Sequence, residues 1–298
     1  MSDVVFGPRR TLSACVIQAK KGVAAPQQVA PLDGETSASV RKHLQSRGMW
    51  PAFCSRPFGR TPSPKAQPAA IFINAVHASL LMPDPSRVLD GQTDAFRLGV
   101  SILTKLTDGV VHICQSQGNA LVSADSRIRV TCFSGTRAAG LVGTHVDRLH
   151  PVGFGPEIWS IGYQDVAAIG HLFQTGNYFA NRVISVTGSV VSRPKFIQTC
   201  IGAKIADLCK DEPAMSNGGG SVRLFSGDPA TGHEARFLGR FDQQVALEQR
   251  KPVARRSRPG RQFGKTGPLI PTSMVEHALA VDILPVPLMR ALSVGDGD

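Results

Sequence analysis

The chain has 298 residues, 42% of them apolar and 18% charged, which excludes a disordered or fibrous protein and allows a sizeable buried core. Basic residues outnumber acidic ones by 33 to 22, giving a net charge of +11. Seven of the basic residues lie between Arg250 and Lys265, so the rest of the chain is close to balance. A nucleic-acid-binding surface along the whole chain is therefore not expected.

The cysteines and apolar runs limit the class further. Six cysteines are scattered without a CxxC pair, so neither a zinc knuckle, nor an iron–sulfur ligand set, nor a disulfide framework is expected, and a reducing compartment is favoured. The N-terminus has no apolar signal core. The longest apolar run, 69–82, is too short to span a bilayer and contains Asn74 and His77. We expect membrane association only through a partner or the protein surface.

The first elements are short. Residues 14–17 form a strand-like run that has no partner strand before it. The pattern that follows predicts a helix with Thr36 or Ser37 as its N-cap and Gly48 at its end. Four prolines in 57–68 then indicate a connecting loop.

A parallel βαβ unit is the clearest prediction. Residues 69–76 form a nearly continuous apolar strand of the kind buried on both faces. A helix over 92–109, capped by Thr93, carries an apolar stripe and leads into a strand at 110–115. A further strand at 127–133 follows.

A glycine-spaced turn, GTRAAGLVGTH, comes directly after this strand. Gly135, Gly140 and Gly143 would allow a phosphate or another ligand to approach the backbone. Their GxxxxGxxG spacing matches neither the dinucleotide fingerprint nor a P-loop, so a turn that needs positive φ is the favoured interpretation.

The remaining elements are predicted with less detail. They are a helix, a strand, a short helix, a tight glycine loop and another strand, at 163–173, 182–191, 200–209, 217–220 and 221–227. From about 195 a small separate α+β module is expected, and from 250 the Pro/Arg/Gly-rich tail is expected to be a loop.

No catalytic residue is predicted. His145, Asp147 and His150 lie close together, but H-x-D-x-x-H is not a recognised metal-ligand spacing, and surface histidines are favoured. No serine sits in a nucleophile elbow. The basic run 250–265 has a single aromatic residue, so a solvated loop is favoured over binding to acidic lipid, nucleic acid or a partner.

The segment WSIGYQDVAAIGHLFQTG crowds polar side chains at a helix start. Asp165 suits the positive end of the helix dipole, whereas Tyr163 and Gln164 are expected to face outward or across a domain seam. A packed helix start and a ligand site stay open as alternatives.

Six collinear segments resemble the A subunit of the bacterial Na+-translocating NADH–quinone reductase. The residues that carry the resemblance are RGMWPAFCSRPFGRTPSP (47–64), AIFINAVHASLLMPDP (70–85), GLVGTHVDRLHPVG (140–153), WSIGYQDVAAIGHLFQTG (159–176), RVISVTGSVVSRPKFIQTCIGAKIADL (182–208) and FLGRFDQQV (237–245). The family is in turn similar to the flavin-binding subunit of complex I and to the C subunit of the Rnf complex.

The resemblance implies an α/β fold with a Rossmann-like parallel-sheet domain followed by a small β-grasp, soluble-ligand-binding α+β domain. The implied divisions are a remnant of an N-terminal lipoyl-like domain with its linker, the Rossmann-like domain, the β-grasp module, and a basic, mostly irregular C-terminal segment, at 1–33, 34–195, 196–250 and 251–298. The sequence departs from the family pattern at Gly162, Gly188-Ser189 and Phe241.

The resemblance also implies the function. The chain would be a peripheral subunit on the cytoplasmic face of the bacterial inner membrane, without a transmembrane helix, supporting electron transfer from NADH to ubiquinone coupled to sodium export. It would bind no cofactor itself, since flavins and iron–sulfur clusters would lie on partner subunits, and no nucleic acid. Its partners would be the membrane and peripheral subunits of the same reductase.

A seam between the two domains is a candidate site for a quinone or another ligand. Its residues are Gly140, Gly143, Thr144, His145, Tyr163, Gln164 and Asp165. Two alternatives are a stand-alone protein that binds flavin, nucleotide or quinone, and a non-functional truncated copy of the family.

Overall fold

The computed structural model describes residues 2–6, 12–17, 36–77, 81–135, 137–150, 157–216, 222–250, 273 and 284–294. The predicted glycine loop at 217–220 and nearly all of the basic run 250–265 lie outside these residues. Most of the described chain forms two five-stranded sheets with helices, which confirms the predicted two-domain α/β architecture.

A two-stranded antiparallel hairpin begins the chain. Strand β1 (Ser2–Phe6) pairs with β2 (Leu12–Ile17), and Val4 lies opposite Cys15. The prediction that the run at 14–17 has no partner strand before it was therefore wrong. The SDVVF segment has too few apolar residues to show a strand period, although Gly7-Pro8 in the intervening sequence is a turn signal.

The first large sheet has the order β3-β7-β4-β5-β6. Its strands are β3 (Cys54–Arg56), β4 (Ala70–Ala75), β5 (Val110–Gln115), β6 (Ile128–Cys132) and β7 (Ile158–Gly162). β4, β5, β6 and β7 are parallel, and β3 pairs antiparallel with β7. The predicted parallel βαβ unit is confirmed, with Ile71 opposite Val111.

Helices cover both faces of this sheet. They are α1 (Ser37–Ser46), α2 (Pro85–Val88), α3 (Thr93–Thr104), α4 (Val142–Leu149) and α5 (Tyr163–Thr175). The Thr36 side chain accepts from Ser39 N and caps α1, as predicted. Thr93 does not cap α3: the N-cap is Gln92, and the Thr93 hydroxyl donates to the Leu89 carbonyl instead.

The alternation along β4 divides the core of this domain between two faces. Ile71, Ile73 and Ala75 pack into one buried cluster with α1, α3 and α5. Ala70, Phe72 and Val76 pack into the other, which includes Val146 of α4. Because successive side chains of a strand point to opposite faces, α4 and α5 lie on opposite sides of the sheet.

The second large sheet has the order β11-β10-β12-β8-β9 and a smaller core of its own. Its elements are β8 (Asn181–Thr187), β9 (Lys195–Cys200), α6 (Ile205–Leu208), α7 (Pro213–Ser216), β10 (Val222–Ser226), β11 (His233–Glu234) and β12 (Gln244–Gln249). β8 and β12 are parallel. This sheet starts at Asn181, ahead of the division expected at 195; the domain bounds themselves stay a prediction.

A last helix, α8 (Pro285–Val294), interrupts the C-terminal segment that was expected to be mostly irregular. This helix was not predicted, because two prolines lie in its first turn and proline is compatible with a helix only near its start. Among the described residues, no helix has the length and apolar character needed to cross a membrane.

Candidate functional site

The start of α5 lies at the seam between the two domains. Gln164 spans it with both ends of its amide: Nε2 donates to the Val183 carbonyl at 2.9 Å, and Oε1 accepts from Val183 N at 2.9 Å. The same Nε2 donates to the Tyr163 hydroxyl at 3.3 Å. Both side chains are buried, so the outward orientation is wrong for both. Gln164 faces the seam, as predicted, whereas Tyr163 packs into the core of the first domain. Burial raises the pKa of Tyr163, which stays a neutral phenol.

Asp165 is the carboxylate of the seam. It forms an ion pair with Arg182 of β8, and both residues are buried. Arg240 of the second domain approaches the same oxygen at 3.5 Å. Burial raises the pKa of Asp165, and the two guanidinium groups oppose that shift. Asp165 lies in the first turn of α5, as expected for an interaction with the helix dipole. It also links the two domains, which no sequence pattern indicated.

The glycine turn is largely helical. Gly140 ends a 3-10 helix, Arg137–Gly140, and its carbonyl accepts from Asn74 Nδ2 at 2.9 Å. Gly143 lies inside α4, and a Cβ there would meet nothing within 4 Å. Positive φ is found only at Gly135 of the three glycines, at 134°. The prediction that the turn needs positive φ holds at that position and is wrong for the other two.

Thr144 and His145 face the interior from α4. The Thr144 hydroxyl donates to the Ala138 carbonyl at 2.8 Å, and His145 Nε2 lies 2.7 Å from the Ala139 carbonyl oxygen. His145 is fully buried beside Phe133, with ring centroids 4.3 Å apart. Burial lowers the pKa of His145, so its imidazole is neutral. It is a core residue, and the expectation of a surface histidine was wrong for it.

The predicted seam residues fall into two separate groups. Thr144 and His145 pack on the α4 side of the first sheet, whereas Tyr163 belongs to the cluster on the α5 side. The structure does not bring His145 and Tyr163 to one slot. Whether either group binds a ligand stays a prediction.

In the described part of the chain the candidate metal ligands are dispersed and two of the thiols are buried. No group of three or more histidine, cysteine or acidic side chains there is placed to hold a metal ion. Cys114 and Cys209 are buried free thiols, and burial raises their pKa to about 12 and about 11. Neither is therefore a thiolate near neutral pH.

A cleft of about 610 Å³ lies between the domains. The first domain contributes segments that follow β4 and β6, at the carboxyl edge of the parallel sheet, where open α/β sheets bind ligands. The second contributes the ends of β8 and β12 and the turn after β10. The lining residues are Leu81, Met82, Arg137, Thr187, Gly188, Pro194, Asp228, Pro229, Ala230, Gln244 and Glu248.

An ion pair between the two domains lies in the lining of this cleft. Arg137 of the first domain pairs with Asp228 of the second, and it also donates to the Thr231 hydroxyl at 2.9 Å. No local pattern indicated this pairing, because its members are far apart along the chain. The position of Arg137 after a parallel strand was the only available signal.

Gly188 supports the wall of the cleft. Its φ is 123°, and a Cβ there would overlap the Leu247 backbone of the neighbouring strand. Only glycine allows β8 to end against β12 in this way.

Comparison with known proteins identifies the family. A family model described as "NqrA second alpha/beta domain" matches residues 35–178, and one described as "NQRA C-terminal domain" matches residues 183–236. The A subunit of the Na(+)-translocating NADH-quinone reductase of Rhodopirellula baltica is 34% identical to this chain, over 99% of the chain and 72% of the relative. The chain belongs to this A-subunit family.

Two further A-subunit relatives are similar over most of this chain. That of Yersinia pestis bv. Antiqua is 32% identical over 100% of this chain and 74% of its own length. That of Alcanivorax borkumensis is 35% identical over 87% of this chain and 64% of its own length. Among solved structures, an NAD+-reducing [NiFe]-hydrogenase chain aligns with a TM-score of 0.45 at 12% identity, covering 72% of this chain and 47% of that one.

Proposed function

We propose that this chain is a peripheral docking subunit of a Na+-translocating NADH–quinone reductase. It supports electron transfer from NADH to ubiquinone coupled to sodium export, and it works at the cytoplasmic face of the bacterial inner membrane. The observation that carries the proposal is the similarity to A-subunit relatives over essentially the whole chain.

The side chains at the domain seam support a structural contribution. Gln164 and Asp165 are engaged in ties between the two domains. His145 is neutral and directed at a backbone carbonyl. Gln164 and Asp165 hold the two domains together, and His145 belongs to the core of the first domain. We assign flavins and iron–sulfur clusters to the partner subunits, because the cysteines are scattered and the glycine turn lacks the dinucleotide spacing.

Co-purification from native membranes tests this function. The chain, tagged and produced in its own organism, is recovered from mildly solubilised membranes, and the retained proteins are identified by mass spectrometry. We expect the other subunits of the reductase in constant proportion to it. Recovery of the chain alone, while the reductase purifies without it, would contradict the proposal.

A second function, small-ligand binding, is favoured by the cleft. Its volume of about 610 Å³ is in the range of ligand sites, and its lining combines apolar residues such as Leu81 and Met82 with a few polar groups. A quinone is the ligand class that agrees with the proposed complex. The seam predicted around Gly143, Thr144, His145 and Tyr163 is the competing location.

Calorimetry with a soluble quinone analogue separates the two locations. Ala230→Trp would fill the cleft and is expected to weaken binding at least tenfold, whereas Tyr163→Phe and His145→Ala are expected to keep wild-type affinity. Weaker binding by Tyr163→Phe and His145→Ala, with wild-type affinity in Ala230→Trp, would instead place the ligand at the predicted seam. Heat on addition of flavin mononucleotide or NADH would favour the stand-alone alternative.

A further inference from the structure

The ion cluster at the domain seam carries more positive than negative charge. Asp165 is the single carboxylate paired with both Arg182 and Arg240 among the described residues. The neighbouring acid along the chain, Asp242, accepts instead from the Ser226 hydroxyl at 2.5 Å. One guanidinium charge is thus left without a matching carboxylate, and a buried unmatched charge is costly.

Arg240 brings this charge towards the surface. Its side chain is 20% exposed, and Nη1 donates to the Tyr178 hydroxyl at 3.3 Å. Nε has no hydrogen-bond partner in the part of the chain that the structure describes. Because the Tyr178 oxygen already accepts from a cation, its own proton is available to an incoming acceptor.

Exposed aromatic side chains flank this position. Tyr178 is 42% exposed, and Phe241, the next residue after Arg240, is 61% exposed. Tyrosine, phenylalanine and arginine are enriched in protein interfaces, and tyrosine and arginine in the residues that dominate binding energy. A large exposed phenylalanine beside an arginine suits an acidic partner that also presents an apolar side chain.

We propose that Tyr178, Arg240 and Phe241 form a docking patch for an acidic segment of another subunit in the reductase. One carboxylate of that segment accepts a hydrogen bond from the Tyr178 hydroxyl and balances the charge of Arg240, and an adjacent apolar side chain covers Phe241. This inference rests on the proposed function, since it supplies one contact through which the chain is held in the reductase.

Charge introduction at the exposed aromatic tests the patch. Phe241→Glu is compared with Phe58→Glu, a control at an 80% exposed phenylalanine of the first domain. Reductase subunits recovered from native membranes are quantified at low and high salt. We expect Phe241→Glu to reduce recovery about tenfold at low salt and Phe58→Glu to leave it within about twofold. Tyr178→Phe, which removes only the phenolic hydroxyl, is expected to reduce it about threefold.

The outcomes separate this inference from the proposed function. If the wild-type chain recovers the other subunits and Phe241→Glu recovers them equally well, the patch is wrong and the function stands. If the wild-type chain recovers none of the other subunits, the proposed function is wrong, and the patch is wrong with it. Wild-type binding to protein-free anionic vesicles that is lost in Phe241→Glu would assign the patch to lipid and overturn the proposal. Unchanged thermal unfolding of Phe241→Glu shows that the variant is folded.

Discussion

The first domain buries the imidazole of His112 in surroundings that disfavour its charged form. His112 of β5 is stacked on Phe72, with ring centroids 4.6 Å apart, and its Nδ1 has no partner among the described residues. Burial, with a smaller contribution from Arg129 and His150, lowers the pKa of His112 to about 4. Folding therefore favours the neutral ring, and the stability of the protein should depend on this titration.

The sign of the effect follows from the two pKa values. In the unfolded chain His112 takes up a proton near pH 6.5, whereas in the folded protein it does so near 4. Its contribution is thus complete above pH 6.5 and is lost as the pH falls towards 4. We expect the free energy of unfolding to drop by about 2 kcal/mol from this residue between pH 7 and pH 4.5.

Urea unfolding of His112→Gln measures this contribution. Between pH 7 and pH 4.5, the free energy of unfolding of the variant should fall by about 2 kcal/mol less than that of the wild type. His233→Gln, at an exposed position of β11, is the control and should keep the wild-type pH dependence. An equally steep loss in His112→Gln would contradict the assignment.

At the scale of elements, glycine allows two helices to touch. α3 and α5 pack side by side, and a Cβ on Gly170 would overlap the Ala95 carbonyl. Gly170→Ala should therefore destabilise the protein by about 3 kcal/mol through overpacking. Gly143→Ala in α4, where a Cβ meets nothing within 4 Å, should instead stabilise it by about 0.5–1 kcal/mol. Similar melting temperatures for the two variants would refute this explanation of the packing.

Local pattern explains which elements were predictable. β4 and β5 are apolar because both faces are covered, and the apolar stripe of α3 or the capping threonine of α1 can be read directly. β7 was missed because IWSIG runs straight into α5 and offers no turn signal between strand and helix. The cleft could not be predicted, because its walls come from loops that only the tertiary fold brings together.

At the scale of the whole molecule, Asp165 is expected to couple the two domains. Asp165→Asn leaves the buried Arg182 and the half-buried Arg240 without their carboxylate, which should cost about 3 kcal/mol and divide one unfolding transition into two. Calorimetry of this variant is compared with Asp90→Asn, at an exposed position. A single transition at the wild-type temperature in Asp165→Asn would show that the domains are coupled by other contacts.

On the proposed function, the chain completes a reductase that is built from other subunits. The most direct measurement is the Na+-dependent NADH–quinone reductase activity of membranes from a strain that lacks the chain, before and after the purified full chain is added. We predict that the activity is lost without the chain and restored when it is bound. Full activity in its absence would show that the reductase does not need this chain, contrary to the proposed function.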